Sequence, residues 1–353
     1  MNDEEMNPAG FAASSSEAPR NLDLLVGGQA VLEGIMMRGR KGYAVAVRKS
    51  DGSVAISHGA IPDWSKKIPM IKWPFFRGAI VLVHSLVLGL KALHFAAEHA
   101  DMAEEKPKKD AAGDNVATLP RKPETLSQAA IAGTLAIAVV LGLAVFVLMP
   151  LGVTVGLQKW VWPGMPNLAF NAIDGLVRVI AFILYLWGIS RLPEIGRVFQ
   201  YHGAEHKVVY AYEDRGPMTV DVAQSKSRLH PRCGTSFLFF VLVVSILCFA
   251  MIPKTSPIAV KLLGRIVLMP LVAGIAYETI RWTGKNPKAP LVRPLIAPGL
   301  WLQNITTREP SADMVEIALI ALTVALRYDG ELVDSVEIPG EAGPEQVLAA
   351  GAA

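Results

Sequence analysis

Two histidines four residues apart bracket an acid in His202-Gly-Ala-Glu205-His206, an H-x-x-E-H run. On a helix, residues at this spacing project from one face, so both imidazoles can reach one transition metal. The order matches the inverzincin metalloprotease motif, in which the histidines are ligands and the acid is a base. Twenty-four residues after His206 comes His230, followed by Pro, Arg and Cys233. This second pair stands at H-x-x-C spacing. Imidazole nitrogen and thiolate sulfur together suit zinc, which is the cofactor expected here.

The pattern leaves two chemistries open. Four closed ligands, His202, His206, His230 and Cys233, would make a structural zinc site. Two histidines plus a third ligand, with one position open, would make a catalytic one; His230, Cys233 and Glu278 are candidates for the third, and Glu33 a further one. Glu205, if it is not a ligand, is the expected general base toward an attacking water. Glu33 and Glu278 are the alternatives if Glu205 turns out to bind metal. Cys233 as a nucleophile beside His230 ranks below metal ligation. The remaining histidines, His58, His84, His94 and His99, have no ligand-spaced neighbour. No phosphate-cradling loop, dinucleotide fingerprint or serine nucleophile elbow occurs.

The elements that must position these residues are those of a membrane protein. Of 353 residues 52% are hydrophobic and only 18% are charged, which is too apolar for an ordinary soluble chain. The two cysteines, Cys233 and Cys248, exclude a disulfide framework, and Cys248 lies in an apolar run. A net charge of +3 gives no reason to expect nucleic acid. Four nearly uncharged segments, roughly 128–156, 170–190, 234–252 and 258–280, each match a hydrocarbon core about 30 Å thick. Asp174 and Arg178, four apart in the second, are placed to pair at the interface. The stretch 75–97 has an apolar core of only about 13 residues interrupted by His84, and reads as a re-entrant or interfacial helix.

Residues 1–21 and 344–353 read as tails, and the acidic start is no signal peptide. Residues 98–127 read as a charged linker. Residues 22–74 read as a small β-rich domain: the runs Tyr43-Ala-Val-Ala-Val47 and Val54-Ala-Ile56 flank Asp51-Gly52, a hairpin turn pair. Before it, the glycines of Gly27-Gly-Gln-Ala-Val-Leu-Glu33-Gly-Ile-Met-Met-Arg38-Gly suggest backbone held close to another group. The segment 281–343 carries a helix over 309–328, with Val315, Leu319, Leu322 and Leu326 near one stripe. Trp301 and the Pro-rich 287–298 suggest an interfacial collar.

Lysine and arginine concentrate before residue 75, in the loop 191–233 and after residue 280, whereas 157–169 and 253–257 hold one lysine each. The positive-inside rule therefore places the three basic regions, both termini and the metal-site loop in the cytoplasm. Arg191, Arg197, Arg228 and Arg232 fit ordinary positive-inside charge better than a dedicated anionic-lipid site. The expected molecule is a polytopic α-helical inner-membrane protein of about four spans plus one re-entrant or interfacial helix, with a small β-containing cytoplasmic N-terminal domain. Two functions of different class fit it. One is a zinc-dependent hydrolase acting on a membrane-associated peptide or lipid at the cytoplasmic surface. The other is a non-enzymatic factor that binds a membrane-protein partner in insertion or envelope machinery, with a structural metal or none.

The Gly27–Gly39 run, Tyr201-His-Gly-Ala-Glu-His-Lys207 and His230-Pro-Arg-Cys-Gly-Thr-Ser-Phe237 together resemble the YqhQ-like family of bacterial membrane proteins, a domain of unknown function (1385). The resemblance runs over about residues 22–330, and the stretch from Pro270 to Glu278 shares it. It implies a bacterial membrane protein of a family commonly labelled metal-dependent enzymes. No departure occurs at the His, Glu or Cys positions. The first 20 residues and 98–127 stand apart as features of this chain.

Overall fold

The structure, a computed structural model, describes residues 26–62, 76–100, 128–253, 255–286 and 289–330. The expected tails, and the linker beyond residue 100, lie outside the described residues.

Four strands, β1 (Gly27–Val31), β2 (Gly34–Arg38), β3 (Gly42–Arg48) and β4 (Val54–Ala60), form an antiparallel meander in the order β1-β2-β3-β4. The β3–β4 turn falls at Asp51-Gly52, where Gly52 takes φ +82° and Asp51 Oδ1 accepts the Ser53 amide at 2.8 Å. Side chains alternate between the two sheet faces, and both faces are covered. Ile35, Met37 and Ala46 face one hydrophobic core, while Val31, Met36, Val45 and Val47 face another.

The first core is built on α5 (Pro193–Glu213), α6 (Val220–Gln224) and α10 (Ala312–Arg327). The expected single stripe on α10 is too narrow a description. Met314, Val315 and every residue from Ile317 to Leu326 are buried, because the sheet covers one side and α5 and α6 the other. A helix apolar all round is stable only when enclosed in this way. Glu316, at the start, points out and pairs with Arg48 at 3.1 Å. Asp329, just past α10, accepts the amides of Arg40 and Lys41 at 2.8 and 2.6 Å and so ties down the β2–β3 turn.

The second core is made by α1 (Phe76–His99). Leu88, Ala92 and Ala96, together with Ala100, pack beneath the sheet. This helix runs 24 residues, straight through His84 and Lys91. It is longer than its interrupted apolar core suggested, because one face of its second half finds the sheet. Gly78, near its start, meets Tyr277 and Gly274 of α8 (Ile258–Lys285).

Four helices are long and apolar enough to cross a membrane: residues 80–99 of α1; residues 136–160, which run through α2 (Gln128–Leu143), a π-helical turn (Ala144–Leu148) and α3 (Met149–Trp160); α4 (Asn167–Ile189); and α8. These are not the four expected from sequence. The segment at 234–252 forms α7 (Gly234–Phe249), a shorter apolar helix whose 16 residues make about 24 Å at 1.5 Å per residue. The chain turns at Met251 and Ile252 before Pro253, which ends the helix. The remaining helix, α9 (Val292–Thr306), lies against α7, with Gly299 on Ser236. Asp174 and Arg178 pair at 2.7 Å as their spacing predicts, but buried at 2% and 5% exposure rather than at a wet interface.

Because Leu322 is fully buried within the first core, Leu322→Ala should cost about 2–5 kcal/mol. Leu263→Ala on the exposed flank of α8 should leave the detergent-solubilised melting curve nearly unchanged. Comparable shifts for the two variants would show that α10 is not the centre of this core.

Candidate metal centre

Pro193 opens α5 at a position where a missing N–H costs nothing, and Gly196 and Gly203 let other segments approach it closely. His202 and His206 stand one turn apart with ring centroids 4.5 Å from each other. Each ring engages a backbone carbonyl through Nδ1: His202 with Thr306 O at 2.8 Å, His206 with Arg228 O at 2.5 Å. A carbonyl only accepts, so Nδ1 carries the proton in each ring and Nε2 keeps its lone pair. That is the tautomer a metal-binding imidazole requires.

Cys233 caps the N-terminus of α7, and its Sγ receives the Thr235 amide at 3.4 Å. Its sulfur lies 3.1 Å from His202 Nε2. One ligand atom from each of His202, His206 and Cys233 falls within 4.8 Å of the others. Around one tetrahedral zinc, ligand atoms sit about 3.3–3.6 Å apart, from bonds of about 2.1 Å to nitrogen and 2.3 Å to sulfur. The observed cluster brackets that spacing. His206 Nε2 is buried and has no hydrogen-bond partner among the described residues. Burial pushes the His206 imidazole below its ordinary pKa, partly opposed by Cys233, which keeps the ring neutral as a ligand must be. The donor set, the tautomers and the orphaned nitrogen all fit a thiophilic divalent metal.

His230 stands beside this trio, outside it. Its ring packs on His206 and on Tyr210, with centroids at 5.7 and 4.5 Å. Nε2 faces Glu213 at 3.4 Å and Nδ1 accepts the Arg232 amide at 3.3 Å. Glu213 in turn pairs with Arg232. The structure thus gathers three of the four expected ligands, and the nitrogens of the fourth are engaged elsewhere.

The expected acids also separate. Glu205 is buried on the flank of the histidine face, where its Oε1 accepts the Gly28 amide at 2.6 Å. A Cβ at Gly28 would strike the Met36 carbonyl and crowd the Glu205 carboxyl, which is the close approach the glycine run foretold. Burial raises the Glu205 pKa, with His202 and the Gly28 amide pulling the other way. Glu33 sits in the β1–β2 turn at φ +50° and forms a two-pronged ion pair with Arg197, about a turn and a half before His202. Glu278, on α8, is not among the groups whose ligand atoms cluster with the histidines. Of the four other histidines, His58 bonds Tyr328 and His99 bonds the Phe95 carbonyl, both away from the centre.

Sequence reasoning overlooked Gln303. Fully buried on α9, its amide accepts from His230 N at 2.7 Å and donates to His230 O at 2.8 Å and Ser236 Oγ at 3.2 Å. It fixes both ends of the loop that carries Cys233. The signal was an amide pair, Gln303-Asn304, set between Trp301-Leu302 and Ile305. Lys207 was overlooked too: buried, it donates to the Gln224 and Lys226 carbonyls at 2.7 and 2.8 Å and pairs with Glu309 at 2.6 Å.

A family model described as a protein of unknown function, DUF1385, matches residues 73–328. The chain is similar to the uncharacterized protein YqhQ of Bacillus subtilis (strain 168), with 36% identity over 313 residues that cover 86% of this chain and 92% of the relative. No solved structure matches.

Gln303→Leu should strand the buried His230 N–H and carbonyl, at about 1–3 kcal/mol for each unpaired group. The loop should loosen, and the Cys233 thiol, shielded at 5% exposure, should become reactive to a maleimide while Cys248 stays slow. Unchanged alkylation kinetics at Cys233 would contradict the clamp.

Proposed function

The chain belongs to the DUF1385 family of proteins of unknown function, and from that premise we propose that it is a zinc-dependent hydrolase working at the cytoplasmic surface of the bacterial inner membrane. The observation that carries this reading is the gathering of one ligand atom each from His202, His206 and Cys233 within 4.8 Å of one another. Three protein ligands leave the fourth position of a tetrahedral metal to the reaction, which is the ligand count of catalytic rather than structural zinc. When bound there, the metal supplies Lewis acidity toward a carbonyl or phosphoryl oxygen. His202, His206 and Cys233 hold it; the Thr306 and Arg228 carbonyls hold the histidines.

Glu205 is the residue assigned to proton transfer. A buried carboxyl with a raised pKa is closer to the working pH than an exposed one, which is what general acid–base catalysis needs. The Gly28 amide fixes one of its oxygens and so sets the orientation of the other. Glu33 is committed to Arg197 and serves as a tie between the β1–β2 turn and α5.

The placement supports a membrane-surface substrate, a membrane-associated peptide or lipid. The centre lies midway along α5 against the start of α7, and Trp187, Trp282 and Trp301, exposed on α4, α8 and α9, suit an interfacial belt. Arg191 stacks on Trp187 at 4.5 Å. The sheet packs directly on α5 and α10, so the N-terminal domain and the metal loop share one side, as the distribution of basic residues requires. With residues 88–100 under the sheet, about 12 residues of α1 remain, or about 18 Å of helix. This favours entry into one leaflet over a full crossing.

One observation favours a second reading, a non-enzymatic membrane factor with a structural metal. The ligands and their carbonyl partners come from α5, α7, α9 and the loop at Arg228, so a metal here would fasten the soluble unit to the membrane helices.

Protein purified in detergent without chelator should carry close to one zinc per chain by elemental analysis, and His202→Ala/His206→Ala should carry none. Acidification should release the metal, since protons compete for both imidazoles and the thiolate. Glu205→Gln retains an oxygen for the Gly28 amide, so it should keep the zinc and the fold. It should slow cleavage of a membrane-peptide or phospholipid substrate by about 10²–10⁴. Full activity in that variant would remove Glu205 from the mechanism. Absence of zinc from the wild type would refute the centre itself.

A further inference from the structure

A second polar cluster lies between α4, α7 and α8, inside the apolar helices. Asp174, Arg178, Lys261 and Arg265 are exposed by only 2%, 5%, 6% and 5%. Asp174 Oδ2 accepts from Arg178 at 2.7 Å and from Arg265 at 3.0 Å. Arg178 reaches further, to Ser245 Oγ at 3.2 Å and to the Phe146 carbonyl of the π-helical turn at 3.1 Å. Both guanidinium groups face the ring of Phe249, at 5.2 and 5.4 Å from its centroid, and the Lys261 ammonium lies 4.8 Å from the centroid of Phe170. An aromatic face steadies a cation and does not neutralise it.

Three cations thus surround one carboxylate, and no second acid forms an ion pair with either arginine among the described residues. An uncompensated charge held in apolar surroundings costs several kcal/mol. The hydrogen-bond inventory is also open. Among the described residues, Arg265 Nε and one terminal nitrogen, Nη1, are buried with no partner, and so is the second carboxylate oxygen, Asp174 Oδ1. The site therefore offers free donors and net positive charge, plus one free acceptor. Asp174 and Arg265 are each the eighth residue of their helix, about 10 Å from its start at 1.5 Å per residue. Both helices start at the end opposite the metal centre, because α4 runs into α5 and α8 into α9.

We propose that this cluster is a binding site for a phosphate group carrying a hydroxyl. The anionic oxygens would be taken by Arg265 and Lys261, and the hydroxyl would donate to Asp174 Oδ1. An ionisable group among membrane helices is by default a candidate for a ligand or ion site. Free phosphate and the head group of a hydroxylated phospholipid share this chemistry.

The test uses the full-length protein in detergent at constant ionic strength. Titration with inorganic phosphate, followed by calorimetry and by the melting temperature, addresses the free ion. Native mass spectrometry after incubation with phosphatidylglycerol, set against a phosphate-free glycolipid, addresses the head group. Wild type should bind one of the two saturably. Lys261→Gln/Arg265→Gln removes both charges in excess and should weaken that binding about tenfold or more. Asp174→Asn keeps the acceptor oxygen and removes the competing negative charge, so it should tighten binding severalfold. A purely structural ion-pair network predicts only lowered melting temperatures, with no response to either probe. Binding by neither probe overturns the proposal, as does equal binding by wild type and the glutamine variant. If the glutamine variant fails to fold, Asp174→Asn decides alone, and unchanged or weaker binding overturns the proposal.

Discussion

The strap formed by residues 303–310 lies directly on α5, and it can do so only because residue 203 is glycine. The Arg308 carbonyl occupies the place where any Cβ at Gly203 would stand. The Arg308 amide closes the contact onto the Phe199 carbonyl at 2.8 Å, and the Arg308 side chain reaches past Gly196 to the Ser190 carbonyl. From that one close approach the rest follows. Thr306 comes within hydrogen-bond reach of His202, Thr307 takes the Arg228 guanidinium at 2.7 Å, and Glu309 meets Lys207. The strap also sets Gln303 on the loop that carries Cys233. The tautomer of one histidine and the position of the thiol thus both depend on backbone packed against backbone. A carbonyl partner cannot be altered by changing its own side chain, so the arrangement is carried by packing rather than by any replaceable polar group.

The molecule confines its ionisable groups to two places with opposite accounts of charge. Where α5 meets the start of α7, two imidazoles and a cysteine sulfur gather within 4.8 Å, while the nearby charges are taken up in pairs: Glu213 with Arg232, Glu33 with Arg197, Lys207 with Glu309. Between α4, α7 and α8 the pairing is incomplete, with three cations for one carboxylate. The first suits a ligand that is itself cationic, and the second one that is anionic. The two lie toward opposite ends of α4 and α8, so a single bound molecule does not explain both.

Much of this was legible in the chain. The H-x-x-E-H and H-x-x-C spacings located the residues that converge, since a helix places i and i+4 on one face whatever surrounds it. The Asp51-Gly52 turn, the β3–β4 hairpin it joins and the start of α10 near Pro310 were equally local, and the structure bears them out. Two helix lengths depart from expectation, and for one reason. The helix at 76–99 looked short because His84 and Lys91 interrupt its apolar run, yet the sheet supplies a surface for its second half. The segment at 234–252 looked long enough because composition does not reveal where the turn before Pro253 begins.

By itself, then, the sequence determined which side chains could ligate, which segments were too apolar for water, and where turns must fall, because each of these depends on covalent spacing and local burial. Only the tertiary structure decided that His202, His206 and Cys233 meet while His230 turns to Glu213. It likewise decided that Glu205 faces the Gly28 amide, and that Asp174 is shared by two arginines far apart in sequence. Those outcomes rest on which carbonyls and amides are brought near each ring or carboxylate. Contacts between separate elements are fixed by how those elements pack, not by the pattern within any one of them.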